Sequence, residues 1–166
     1  MKKSGKLLLA ISKDMKFLRK GFSYLKKIDV IIEIISGLFI LLFVYAALGK
    51  VLDFQKFRVE LGKSPILSYL ADLVSYSIPA IELLISILLT IKRFRYVALY
   101  AAFSLMTMFS AYIIVILNFS SYIPCSCGGV LQNMTWSQHL VFNLIFCVFG
   151  TIAILIYPAN KTLSAQ

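Results

Sequence analysis

A chain of 166 residues that is 60% hydrophobic and only 14% charged, with a mean hydropathy of +0.89, lies far from soluble domains, which are roughly 45–50% apolar and about 25% charged. The composition excludes a soluble globular domain and requires an integral membrane protein, and the length fits a single domain. The net charge of +10 would also suit a nucleic-acid binder, but the placement of the basic residues argues against that class.

Residues 1–28 form a basic tail. Nine of the 17 lysines and arginines lie there, interleaved with Leu7, Leu8, Leu9, Ile11, Phe17, Leu18, Phe22, Tyr24 and Leu25. That mixture reads as an amphipathic helix on an anionic inner leaflet, with membrane lipid and not nucleic acid as its partner. The apolar stretch of residues 6–11 is too short for a signal-peptide core, so the tail is expected to stay on the mature protein.

Four apolar runs follow, at residues 30–49, 68–91, 96–118 and 136–157. Each is long enough to cross a hydrocarbon core at about 20 residues per span. The predicted fold is an all-α membrane protein, a four-helix transmembrane bundle over residues 29–158 followed by a short tail at 159–166. Pro79 interrupts the second run, which transmembrane helices tolerate when neighbours satisfy the freed carbonyl. Glu82, three residues later, is the intramembrane polar residue with most to explain. A carboxylate at a helix centre costs about 2.5–3.5 kcal/mol on insertion scales, so it should face the bundle interior and have a partner or be protonated. Glu33 lies nearer the same end as the basic tail and is read as reaching headgroups, Lys26 or Lys27. Between the first two spans, residues 50–67 mix charges with Phe54, Phe57, Val59 and Leu61, the pattern of an interfacial helix that ends at Gly62.

Lysine and arginine set the orientation. The tail, the Lys92–Arg95 turn and Lys161 hold 13 of them, and Lys50, Lys56, Arg58 and Lys63 lie on the other side. The heavy side is read as cytoplasmic. Both termini then face the cytoplasm of a bacterial inner membrane, and the loop containing Cys125 and Cys127 faces the periplasm.

Cys147, about eleven residues into the fourth span, is read as an inert small hydrophobe. Cys125 and Cys127 differ, because they sit in a compartment that oxidises thiols. As a staple their bond would contribute only roughly 1.6 kcal/mol by loop closure, against about 3 for a fifteen-residue ring. Strain in so tight a ring favours exchange, and Gly128 and Gly129 give a partner close access to sulfur. A C-x-C pair is nonetheless a weaker signal than C-x-x-C, and a structural role stays open. A metal site is disfavoured, because Cys125, Cys127 and His139 leave a zinc ion one ligand short. Trp136 suits a membrane interface, and His139 and Asn143 follow on the same helical face. His139 is read either as a proton carrier beside the thiols or, with Asn143, as hydrogen-bonding glue between helices.

The run of residues 37–50, Phe57, Pro79 with Glu82, and above all Cys125-Ser126-Cys127-Gly128-Gly129 leading to Trp136, His139 and Asn143, resembles the MauE branch of the DoxX-like membrane proteins. The resemblance covers about residues 29–157 and leaves the basic tail outside. It implies a four-helix bundle linked to redox maturation of a cysteine-rich periplasmic protein, with a thioredoxin-like protein or a cysteine-containing client as partner. Many relatives read C-G-C-F-G where this chain has Cys125-Ser126-Cys127-Gly128-Gly129, which keeps both sulfurs and changes the loop around them.

The expected chemistry is thiol–disulfide exchange. A partner thiolate attacks the Cys125–Cys127 bond, the mixed disulfide is resolved by a second thiolate, and His139 assists the proton. Recycling calls for a second protein or a quinone docked near Trp136, His139 and Asn143. Two other classes compete with this reading. One is a non-catalytic assembly factor whose C-x-C loop only shapes a contact. The other is a small-solute transporter built around Glu82, which lacks the repeated halves such folds carry.

Overall fold

The computed structural model describes residues 2–64, 68–119 and 135–163. These form five helices and one 3-10 turn: α1 (Lys2–Leu52), α2 (Phe54–Lys63), the turn Ser68–Leu70, α3 (Ala71–Thr90), α4 (Arg95–Phe119) and α5 (Trp136–Leu163). No strand occurs among the described residues. Four stretches are long and apolar enough to cross a bilayer, Lys26–Leu52, Ser68–Thr90, Arg95–Phe119 and Trp136–Tyr157, in close agreement with the expected spans. α1 runs without a break through residue 28, so the first span continues directly from the helix of the basic segment.

The spans form a ring. α1 packs along α3 and α5, and α4 packs along α3 and α5, which sets α1 and α4 diagonally across the bundle. The short α2 lies on α3, burying Phe57 and Leu61 against Ala71 and Val74. It continues through Gly62 to Lys63, and the Ser64 amide donates to the Leu61 carbonyl at its end. Gly62 therefore does not stop the helix. A Cβ at Gly62 would meet nothing within 4 Å, so its place in α2 demands no special backbone freedom.

Lipid offers helices no hydrophobic reason to associate, so the contacts are those of close packing. Leu41, Leu48, Ile87, Val97 and Leu155 point outward, while the core is built from Phe39, Phe43, Leu89, Leu99 and Met106 with the small residues Ala98, Ala102 and Ala153. Phe39 meets Phe146 edge-on at 5.3 Å and Phe43 at 5.8 Å between ring centroids. At Gly150 α5 approaches α4 closely. A Cβ there would stand 3.3 Å from Phe103 Cβ and 3.5 Å from Phe39 Cζ.

The end of the bundle opposite α2 is held by polar contacts. Arg95 donates from Nε to the Leu89 carbonyl at 3.2 Å, and its Nη2 stands 4.0 Å from Glu33 Oε1. Glu33 thus faces a cation on α4, not Lys26 or Lys27 on its own helix. Tyr157 donates to the Lys92 carbonyl at 3.3 Å and stacks on Tyr96. At the α2 end, Tyr112 of α4 donates to the fully buried Ser64 Oγ at 3.1 Å.

Because the Phe103 Cβ cannot swing away, Gly150→Val should overpack the α4–α5 contact. We expect a loss of about 1–3 kcal/mol, read as a lower midpoint for thermal unfolding of the purified protein, with Gly62→Val much closer to the parent.

Candidate functional site

Two opposite charges meet inside the bundle at its α2 end. Lys50, in the last turn of α1, places Nζ 2.7 Å from Oε1 of Glu82 on α3, with side-chain exposures of 13% and 1%. The pair depends on an axial offset between the antiparallel helices. Lys50 lies two residues from the end of α1, whereas Glu82 lies eleven residues, about three turns, into α3. The end of α1 therefore stops well inside the level at which α3 begins, and α2 fills the step.

The partly buried ammonium has further neighbours. The Ala46 carbonyl accepts from Nζ at 3.4 Å, and the rings of Phe57 on α2 and Phe109 on α4 have their centroids 6.0 and 5.9 Å away. An aromatic face attracts a cation more strongly when water is excluded. Four helices, α1 to α4, thus contribute to the surroundings of one ammonium.

His139 is positioned by the way α5 starts. Thr135 Oγ1 accepts from the Gln138 amide at 3.3 Å, and Gln138 Oε1 accepts from the Thr135 amide at 2.9 Å, a reciprocal capping box. The His139 amide then donates to the Thr135 carbonyl at 2.9 Å. The Trp136 ring lies against the His139 ring, with centroids 6.2 Å apart. Asn143 follows one turn along the same face and is 2% exposed. Three buried polar atoms have no hydrogen-bond partner among the described residues at this end: Glu82 Oε2, His139 Nδ1 and Asn143 Nδ2. A buried polar group is normally paired, so each of them calls for an explanation.

The structure pairs Glu82 with Lys50 and sets Trp136, His139 and Asn143 along one face at the start of α5. Glu82 faces the interior and has a partner, as its burial cost requires. Cys125 and Cys127 lie outside the described residues. The Cys147 thiol stands 3.8 Å from Thr107 Oγ1, on the turn of α5 beyond Asn143. Arg58 and Asp72 pair on the surface between α2 and α3, where exposure leaves such a contact little energy. Lys50 is the residue that sequence reasoning missed. It stood among the loop cations, and only the offset between α1 and α3 reveals it as an interior group.

A family model described as Methylamine utilisation protein MauE matches residues 28–157, which takes in all but the first two residues of the four spans, with Lys50, Glu82, Trp136, His139 and Asn143 among them. No curated protein and no solved structure matches the chain.

Removing either member of the buried pair strands the other charge. Lys50→Met and Glu82→Leu should each cost about 3–5 kcal/mol, while the double variant should recover most of that loss. Thermal unfolding of the four proteins in one detergent measures this coupling.

Proposed function

The chain belongs to the MauE family, and on that premise we propose that it is a thiol–disulfide exchange protein of the bacterial inner membrane, working through Cys125 and Cys127 on the periplasmic face. The wider DoxX-like kinship belongs to the same reading. A thioredoxin-like protein or a cysteine-containing client supplies the partner thiols. One partner thiolate attacks a sulfur of the Cys125–Cys127 bond. That bond breaks as the mixed disulfide forms, and one chain thiolate is released. The partner's second thiolate then attacks the mixed disulfide and releases the other. The partner leaves with a disulfide, and the chain holds two thiols and the two electrons. Protons given up by the attacking thiols are taken by the leaving ones, and the same steps run in reverse.

The observation that carries this reading is the placement of His139. The capping box holds it in the first turn of α5, twelve residues after Cys127, with one ring nitrogen buried and without a partner among the described residues. An imidazole in such a place suits proton transfer to and from sulfur. The proposed orientation also gains from the burial of Lys50. With that residue inside the bundle, three cations remain at the α2 end, Lys56, Arg58 and Lys63, against 13 on the other side.

A membrane-impermeant maleimide applied to whole cells tests the site and the orientation together. Cys125 and Cys127 should label from outside only after mild reduction, and labelling solely from the cytoplasmic side of opened cells would sink both. Replacing both cysteines with serine should abolish maturation of a disulfide-bonded client. Maturation at the full parental level would instead favour a non-catalytic assembly factor.

A further inference from the structure

The turn that joins α3 to α4 carries three cations, Lys92, Arg93 and Arg95, a density that neither helix packing nor thiol exchange requires. Lys92 and Arg93 are exposed, and neither forms an ion pair among the described residues. The Arg93 guanidinium carbon lies 5.9 Å from the centroid of the Phe94 ring. Arg95 is partly buried. Its Nε donates to the Leu89 carbonyl at 3.2 Å, and its Nη2 stands 4.0 Å from Glu33 Oε1, too far for a hydrogen bond. A guanidinium has five N–H donors, so the terminal nitrogens of Arg95 keep donors to spare. Glu33, itself 67% exposed, is the one carboxylate that pairs with this turn among the described residues.

The turn is held in place from behind. Tyr157 of α5 donates to the Lys92 carbonyl at 3.3 Å and stacks on Tyr96 with centroids 5.1 Å apart, and Tyr96 meets Tyr100 edge-on at the same separation. Tyrosines gathered at one end of a bundle mark the membrane interface, the level at which lipid phosphates lie. Ile87 and Ile91 before the turn, and Phe94 and Val97 in and after it, all face outward. The cations therefore stand at headgroup depth beside apolar surface that only acyl chains can cover.

We propose that the α3–α4 turn is a binding site for an anionic phospholipid. Lys92, Arg93 and the terminal nitrogens of Arg95 hold the phosphate, and the acyl chains lie along Ile87, Ile91 and Val97. Charge selects the headgroup, because three cations against one carboxylate leave positive charge that a zwitterion does not neutralise. Arginine adds paired donors that match two phosphate oxygens. The site is distinct from the basic tail of α1, and it does not depend on the exchange reading. A turn already fixed by Tyr157 loses little freedom when the lipid arrives.

Quenching of a tryptophan beside the turn tests the site, using the full chain in nanodiscs of phosphatidylethanolamine with a minority of phosphatidylglycerol. The single native tryptophan is removed and one is introduced next to the cations, as Trp136→Phe with Val97→Trp. Phosphatidylglycerol brominated on its acyl chains should quench this tryptophan several-fold more than its share of the bilayer predicts. Adding Lys92→Gln and Arg93→Gln should bring quenching down to that share. Adding Lys2→Gln and Lys3→Gln instead, which removes the same charge from the tail, should leave the excess intact. Glycerol phosphate in the medium should not displace the lipid. Quenching at the expected share in the starting protein, equal excess from brominated phosphatidylethanolamine, or an excess that survives Lys92→Gln and Arg93→Gln would each overturn the site. An equal fall in the tail variant would reduce the effect to net charge, and displacement by glycerol phosphate would assign the cations to a soluble anion. Either result overturns the lipid site.

Discussion

The arrangement of this bundle turns on the cost of keeping a carboxylate out of water. Glu82 is fully buried three residues after Pro79, in a helix that lipid surrounds. Such a charge persists only when it is paired and hydrogen-bonded. Lys50 meets that requirement, and meeting it fixes much else. α1 has to end at the level of the third turn of α3, the chain has to turn through α2 to reach the start of α3, and Phe57 and Phe109 come to lie against the ammonium as a result. The contact does little to drive folding by itself, because desolvation of both charges offsets most of the attraction. Its effect is to exclude other registers between α1 and α3, since a slip of one turn would leave two opposite charges apart in a medium that stabilises neither.

Much of this architecture is legible in the residues. Apolar run lengths mark the four spans to within a few positions, because the hydrocarbon core imposes one length on every crossing helix. Glu82 is marked as interior and partnered by its cost alone. Its partner is not marked, because the depth of a side chain depends on the offset between helices, and composition says nothing about offset. Lys50 reads as a loop residue for that reason. The capping box at Thr135 and Gln138, a T-x-x-Q ahead of an apolar run, is a local signal that the sequence reading passed over, and it fixes the start of α5 and with it His139. The extent of α2 is a smaller instance of the same difficulty. Gly62 commonly marks a helix end, but Phe57 and Leu61 pack on α3 and carry the helix past it.

Below the polar group the bundle changes character. Phe39, Phe43 and Phe146 fill the centre, and Gly150 lets α4 and α5 close on them. The Lys50–Glu82 pair thus lies at the α2 end, with an aromatic core beyond it. The opposite end is tied by Arg95, Tyr157 and the stacked Tyr96, which hold the α3–α4 turn against α1 and α5.

The sequence distance between the two charges also bears on how the protein is made. Lys50 and Glu82 are 32 residues apart and belong to different spans. Synthesis runs from the N-terminus, so the ammonium emerges from the ribosome before its carboxylate does. The first span by itself therefore ends in a charge with no interior counterpart, which holds Lys50 at the interface until the helical hairpin is complete. Arrival of Glu82 then lets the end of α1 settle inward, and burial of that end becomes a record that two spans, not one, are in place.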